Sequence, residues 1–264
     1  MLTAVKNQFR VILLSVKYNI MREMTNRVTF LTNVLFMILN NSTFLIQWLL
    51  LFHLKSDIGG YTFREVMVLW GLAASTFGLS HILFQRAFHL PALILQGKLD
   101  SFLVQPKNVL LSIISSETNS SAIGDLIYGY LIIILFRFSI YNLLLFTLFT
   151  ILGGLIMAAF AVITGSLSFW IVRADLLSEN LNNVMVNFGT YPDSIFKNGV
   201  RLLLYTIVPV GFVVYQPMHI ILNFDLAALL GVITFTLGIC LLAFFLFYKG
   251  LKRYTSSNLM SARI

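Results

Sequence analysis

Charged side chains inside apolar stretches are the first candidates for chemistry in this sequence. Asp125, Arg137 and Glu179 each lie within a long apolar segment, where a charged group normally serves a transport pathway, a proton relay or a helix contact. Glu179 stands among four Asn residues, which favours a functional role. For Asp125 and Arg137, a position near the lipid headgroups or a hydrogen bond between helices is an equal alternative.

Other kinds of chemistry lack their motifs. The nearest approach to a phosphate-binding loop is Gly97 and Lys98, but Ala92 occupies the upstream glycine position and Leu99 follows the lysine. The four histidines have no metal-ligand spacing, the serine-hydrolase motif G-x-S-x-G is absent, and Cys240 is the only cysteine. We predict no catalytic residue, no metal site and no cofactor held by this chain, so any ATP and magnesium would bind a partner.

Composition indicates the class of protein. Of the 264 residues, 58% are apolar and 11% are charged, against about 25% charged in a soluble domain. Apolar stretches long enough to cross a bilayer recur along the chain, and they lack the alternation of a membrane barrel. We therefore predict an all-α polytopic membrane protein. The net charge of +8 fits basic loops on the cytoplasmic side better than nucleic-acid binding.

Hydropathy and charge predict the topology. An amphipathic interfacial helix with a basic flank occupies residues 1–24. Thirteen of the 18 Lys and Arg residues then fall on one side, which places both termini in the cytoplasm. We predict one membrane domain over 1–264, with clear spans at 28–54, 63–84, 118–138, 142–172 and 226–248.

A further crossing lies between Asp175 and Asp225, and hydropathy alone does not decide which of two windows forms it. The window 201–222 is the more apolar, but Pro209 and Pro217 interrupt it. The window 176–196 is rich in Asn and can cross the membrane only where it lines a cavity. Only one window crosses if both termini are inside.

The predicted cytoplasmic loop, residues 85–117, carries structure of its own. Pro91 favours the start of a short helix that Gly97 ends, Asp100 is placed to cap the following segment, and Pro106 is placed to start the next helix. An exposed apolar helix on this side requires a partner protein, and the alternative is a loop tucked against the bilayer.

Two sequence patterns, carried by three segments, resemble those of a known family. GKLDSFLVQP at 97–106 is similar to a G-x-L-D-x-x-L-x-x-P segment, and YPDSIF at 191–196, followed by IVPVGFVVYQP at 207–217, is similar to a second pattern. In this order they resemble the permease subunits of ABC type-2 transporters, and within them the bacterial branch related to bacteriocin and drug export. The resemblance covers nearly the whole chain.

The resemblance implies a fold of six spans in a dimer, with 176–196 as the fifth span and 201–222 as a re-entrant outer hairpin. It implies a coupling helix that docks on an ATPase and a polar substrate path. Gln105 departs from the branch, which often has a basic residue there, so no charge contact is carried over. The coupling residues would be His89, Pro91, Leu93, Ile94, Gly97, Asp100, Phe102, Leu103 and Pro106, and the path residues Asn40, Glu179, Asn183, Asn187, Tyr191 and Pro192.

The sequence therefore predicts the membrane subunit of an ATP-driven exporter in the bacterial cytoplasmic membrane. Its expected partners are two ABC ATPase subunits, a second permease that is identical or paralogous, and the lipid bilayer. An ion-driven secondary carrier, with Glu179 or Asp125 as the titrating group, is the alternative function.

Overall fold

The computed structural model describes residues 2–255, and side chains from Lys6 onward; the part of the predicted polar tail that contains Arg263 lies outside the described residues. No β-strand forms within 2–255, only an isolated bridge between Ile58 and Tyr61. The helices are α1 Leu2–Glu23, α2 Arg27–Leu54, α3 Phe63–Phe88, α4 Leu90–Leu95, α5 Asp100–Leu103, α6 Val109–Ile114, α7 Ala122–Arg137, α8 Ile140–Ser166, α9 Ala174–Phe188, α10 Asn198–Thr206, α11 Gln216–Leu222 and α12 Leu226–Leu251.

Polar residues set the helix boundaries next to the apolar segments. Thr62 caps α3 and exchanges hydrogen bonds with Glu65 in a capping box. Between α2 and α3 the chain reverses through Gly59 and Gly60, whose φ angles of 62° and 82° lie in the left-handed region. A side chain at Gly59 would also collide with Ser194 Oγ, so this turn needs glycine for two reasons.

Helix α3 is the central helix of the bundle. In the most apolar window of Phe63–Leu95, which comprises α3 and α4, 78% of residues are buried, against 17% in α2 and 22% in α12. It packs against α7 and α8, and the backbones of α3 and α7 come close where Gly71 faces Gly129. Small residues permit this close approach, which is a common source of helix association in membranes.

The bundle has two ends, named here from elements that lie there. The α4 end contains α4, the first turn of α7 and the first turn of α9, while the opposite end contains the α2–α3 turn. Helix α9 starts beside α4, and the segment after it reaches the α2–α3 turn, where Tyr61 Oη lies 2.6 Å from Asp193 Oδ1. Residues 174–193 therefore run from one end of the bundle to the other.

Helix bounds differ from the predicted segments in several places. Helix α3 continues beyond residue 84 with a kink at Phe84. Helix α5 starts at Asp100, with Leu99 at the cap position and no side-chain cap. Helix α6 starts at Val109 after an Asn108 cap rather than at Pro106, because Asn108 supplies the side-chain acceptor that proline lacks.

Within residues 2–255, four helices are long and apolar enough to cross a membrane. Helix α7 is not among them, since its 16 residues extend only about 24 Å. The pair Asn198–Thr206 and Gly211–Leu222 bends by 82° at the break. Pro209 lies at that bend, where it removes a backbone donor, and a π-helical turn at Gly211–Tyr215 follows it.

The α3–α7 crossing supports a stability prediction. Gly129→Ala places a methyl group against the Gly71 carbonyl and Ser75, and overpacking of this kind destabilises by about 1–3 kcal/mol. We expect a loss of roughly 2–4 °C in melting temperature per kcal/mol, measured in detergent. Gly238→Ala on α12, where an added Cβ meets nothing within 4 Å, is the matched control. Equal melting temperatures for the two variants would contradict the prediction.

Candidate functional site

A central cavity of about 410 Å³ lies between α2, α3 and α9. Three of the predicted path residues, Asn40, Asn187 and Tyr191, line it together with aromatic side chains of α2 and α3. Its volume falls within the range of about 300–1,000 Å³ typical of small-molecule sites. The structure thus brings these three predicted residues to one cavity.

A second cavity of about 520 Å³ lies nearer the α4 end. Glu179 and Asn183 line it, with His81 and His89 on the facing helices. The His81 ring is stacked between Phe77 and Phe88, with ring centroids 3.8 and 4.1 Å away. Sequence reasoning singled out Glu179 but missed His81, because its spacing to other polar residues carries no motif.

A third cavity, about 620 Å³, opens between α2 and the loop before α7. Asn40 lines both this cavity and the central one, while Phe77 and Val186 line both the central and the second cavity. The three cavities are therefore neighbours, separated by few side chains. Pro192 lies apart from all three, buried in the turn after α9.

The central cavity also contains a carboxylate that was not placed in the predicted path. Asp125, in the first turn of α7, accepts a hydrogen bond of 2.6 Å from Asn41 Nδ2 and lines the cavity. For its structural role the sequence left open a position near the lipid headgroups or a hydrogen bond between helices, and the structure shows the hydrogen bond. The partners are 84 residues apart in sequence, so no local pattern could reveal the pair.

A polar cluster closes the opposite end of the bundle. Asp193 pairs with Arg201 at 2.6 Å and accepts a hydrogen bond from Tyr61, whose hydroxyl is 3.3 Å from His219 Nε2. Burial and the hydrogen bond to Asp193 raise the pKa of Tyr61, so the phenol keeps its proton and donates. Ser194 Oγ also donates to the Gly59 carbonyl at 2.6 Å. The cluster joins the α2–α3 turn, the segment after α9 and the α10–α11 region.

Comparison with known proteins identifies the family of this chain. A family model described as ABC-2 family transporter protein matches residues 38–258. The chain belongs to the ABC-2 transporter family. No curated protein and no solved structure matches it. The match covers the helices that surround the cavities, and it begins within α2.

Membership fixes the broad role of this ABC-2 protein. It is a multi-pass membrane permease of an ABC exporter, the transport component of a system whose family normally works with ATPase partners. No group of three His, Cys, Asp or Glu side chains within residues 2–255 is arranged to hold a metal ion.

The predicted coupling residues of the ABC-2 chain divide into buried and exposed groups. Leu93, at 5% exposure, and Ile94 pack into the core, because α4 lies against α8 and α9. Pro91 packs close to Gly165, where an added Cβ would lie 3.1 Å from Pro91 Cδ. Gly97 ends α4 with a φ of 66°. The exposed members are His89, Asp100, Leu103 and Pro106, with Phe102 partly buried.

The apolar face of α4 therefore does not point away from the protein, as an exposed docking helix would require. Its leucines complete the core of the bundle. The exposed apolar side chains of this loop belong instead to the segment after α4, where Leu103 is 41% and Val104 83% exposed. We call residues 100–106 the loop tip.

An ion-pair cluster ties the kinked end of α3 to the start of α7. Arg86 lies 2.7 Å and His89 Nδ1 3.1 Å from Glu117 Oε2. Burial alone would raise the pKa of Glu117, but the hydrogen bond and charge of His89 and the charge of Arg86 outweigh it and lower the pKa below the ordinary value of 4.5. The carboxylate thus stabilises the fold at neutral pH.

The sign of this shift predicts a pH dependence. A lowered pKa gives stability that is present above about pH 4.5 and lost as pH falls through the folded value. Glu117→Gln should lower the melting temperature at pH 7 by an amount equivalent to about 1 kcal/mol or less, since the pair is partly exposed. The difference in melting temperature between Glu117→Gln and the unmodified protein should become smaller between pH 5 and pH 3. Thermal unfolding in detergent measures it.

Glu179→Gln is the matched control for this series, since Glu179 is exposed and forms no ion pair within residues 2–255. A Glu117→Gln deficit that grew on acidification would contradict the assignment.

Proposed function

We propose that this ABC-2 permease is the membrane subunit of an ATP-driven exporter in the bacterial cytoplasmic membrane, in the branch related to bacteriocin and drug export. Two permeases, identical or paralogous, form the substrate path, and two separate ATPase subunits hold ATP and magnesium. The observation that carries the proposal is the set of neighbouring cavities around Asn40 in an ABC-2 bundle. The family match does not favour an ion-driven carrier.

The α4 end is the cytoplasmic end in this proposal. Basic residues of α1, the α3–α7 loop and the end of α12 put the larger share of positive charge there, as expected for cytoplasmic segments. Helix α1 supports an interfacial position, since Phe9 and Leu13 are exposed neighbours on one helix face while Ser15 Oγ donates to the Ser115 carbonyl on the bundle. Amphipathic helices with such a face lie in the plane of the membrane interface.

The six crossings would be α2, α3, residues 118–138 with α7 at their centre, α8, residues 174–193 and α12. The Pro-interrupted segment would enter and leave at the outer end, because both of its limbs contact the same cluster. Arg201, on the first limb, pairs with Asp193, and His219, on the second limb, lies near Tyr61. The 82° bend between the limbs fits a re-entrant hairpin, and Asn-rich α9 then forms a wall of the path.

A second permease would cover α2. Asn33, Asn40 and Gln47 recur at intervals of seven residues, so they share one helix face, and all three are exposed. Amide side chains facing hydrocarbon lack hydrogen-bonding partners, so membrane helices bury them against protein or water. The same face borders two cavities through Asn40, which suits a path between two permeases.

The loop tip would dock on the ATPase, while α4 would transmit the motion. Leu103 and Val104 offer exposed apolar surface, and α4 contacts α8 and α9, which border the cavities. ATP would act by binding one arrangement of the complex more tightly than the other. A shift of the tip would then move the walls of the path through α4.

Leu103→Asp combined with Val104→Asp tests the docking surface. Because both side chains are exposed, the variant should fold normally and lose at least tenfold in affinity for the ATPase subunit, which corresponds to about 1.4 kcal/mol. Co-purification of ATPase subunits with the tagged permease from its native host measures the affinity, and the melting temperature measures the folding. Met24→Asp, an exposed apolar residue of the α1–α2 connection, is the control. Full retention of the ATPase by the double variant would count against the proposal.

Cysteine labelling tests the hairpin. In a Cys240→Ala background, Asn198→Cys and Asn223→Cys place single thiols at the two ends of the segment. Both should react with a membrane-impermeant maleimide in intact spheroplasts, whereas Val104→Cys should react only after permeabilisation. Labelling of just one of the two ends from outside would mean that this segment crosses the membrane.

A further inference from the structure

Asp125 is a buried carboxylate with unused hydrogen-bonding capacity. It is 5% exposed, and Oδ1 accepts a hydrogen bond from Asn41 at 2.6 Å. Its Oδ2 is buried and has no hydrogen-bonding partner within the described residues. One neutral amide donor cannot compensate a buried negative charge, since removal of a carboxylate from water without a cation costs several kcal/mol.

The central cavity lies beside this carboxylate and contains no positive protein charge. Of the described side chains that line it, none is Lys, Arg or His, and Asp125 is the one carboxylate. Asp125 therefore gives the cavity an electrostatic preference for positive ligands. A lysine or arginine partner, which would make a purely structural ion pair, is missing from the wall.

Aromatic rings form much of the remaining wall. Phe44, Trp70, Phe77 and Tyr191 line the cavity, and the Phe44 and Trp70 rings lie with their centroids 4.6 Å apart. The faces of such rings attract organic cations, with Trp the strongest, and desolvated sites gain most. A carboxylate within an aromatic cavity of about 410 Å³ is the chemistry that recognises an amphipathic organic cation.

We propose that the central cavity binds amphipathic organic cations and that Asp125 is their counter-ion, held in position by Asn41. This inference rests on the proposed function, in which the cavity lies on the substrate path. The cation's positive centre would approach the carboxylate while its apolar groups contact the aromatic wall. Neutral or anionic molecules of the same size would lack the charge interaction and leave Asp125 uncompensated.

Tetraphenylphosphonium and tetraphenylborate are suitable probes, because they have nearly the same size and shape but opposite charge. Binding of each probe to the full-length permease in nanodiscs is measured in separate samples by equilibrium dialysis, without ATP or ATPase. Uptake by the lipid cancels in comparisons between variants. Asp125→Asn removes the charge, Asp125→Glu retains it, and Asp57→Asn makes the same change in the exposed α2–α3 turn.

Asp125→Asn should weaken tetraphenylphosphonium binding at least tenfold, while Asp125→Glu and Asp57→Asn should stay within threefold of the unmodified protein. Binding of tetraphenylborate should not weaken in Asp125→Asn. Unchanged tetraphenylphosphonium affinity in Asp125→Asn would overturn the inference and leave Asp125 as a protonated or structural group. An equal loss of both probes would also overturn it, since the effect would then not be one of charge.

The test separates this inference from the exporter proposal. Asp125-dependent binding in a permease that retains no ATPase would support the cation site and contradict the proposed coupling. ATP-driven transport by a permease whose probe binding does not depend on Asp125 would support the exporter proposal and contradict the cation site.

Discussion

The absence of water in the bilayer interior is the constraint on which this structure depends. Every buried polar group must find a partner in the protein or in a wet cavity. The backbone meets this demand by forming helices, and hydroxyl side chains meet it by bonding to their own helix, as Ser75 does to the Gly71 carbonyl and Thr164 to the Phe160 carbonyl. Small residues then let α3 pack closely at the centre.

The same constraint sorts the amide side chains by role. Asn182 Nδ2 donates to the Ser178 carbonyl at 2.7 Å and to Thr164 Oγ1 of α8 at 3.4 Å, and Asn41 Nδ2 donates to Asp125 at 2.6 Å. Asn33 and Gln47 have exposed side chains on an apolar helix. Buried amides thus donate across helix contacts, and the exposed ones mark surfaces where water or protein must supply the partner.

Sequence patterns predicted the apolar segments well because hydropathy is a local property. The bounds of α2, α3, α8 and α12 lie within six residues of the apolar segments, and Pro91 and Gly97 bracket α4 as expected. The pairs Asn41–Asp125 and Tyr61–Asp193 join positions 84 and 132 residues apart, which no local period encodes. Hydropathy also could not show that the leucines of α4 face the bundle, since a docking face and a core face have the same composition.

The packing of α9 explains how motion at one end could alter the path. Near the α4 end, Ser178 and Asn182 bind Thr164 of α8, and at the other end Asp193 is held by Tyr61 and Arg201. The last turn of α9, with Met185 and Asn187, borders the central cavity between these two supports. A helix held at both ends changes its tilt when one support moves. Under the proposed coupling, displacement of α4 therefore reshapes the cavity, because the polar cluster around Asp193 keeps the segment after α9 in place.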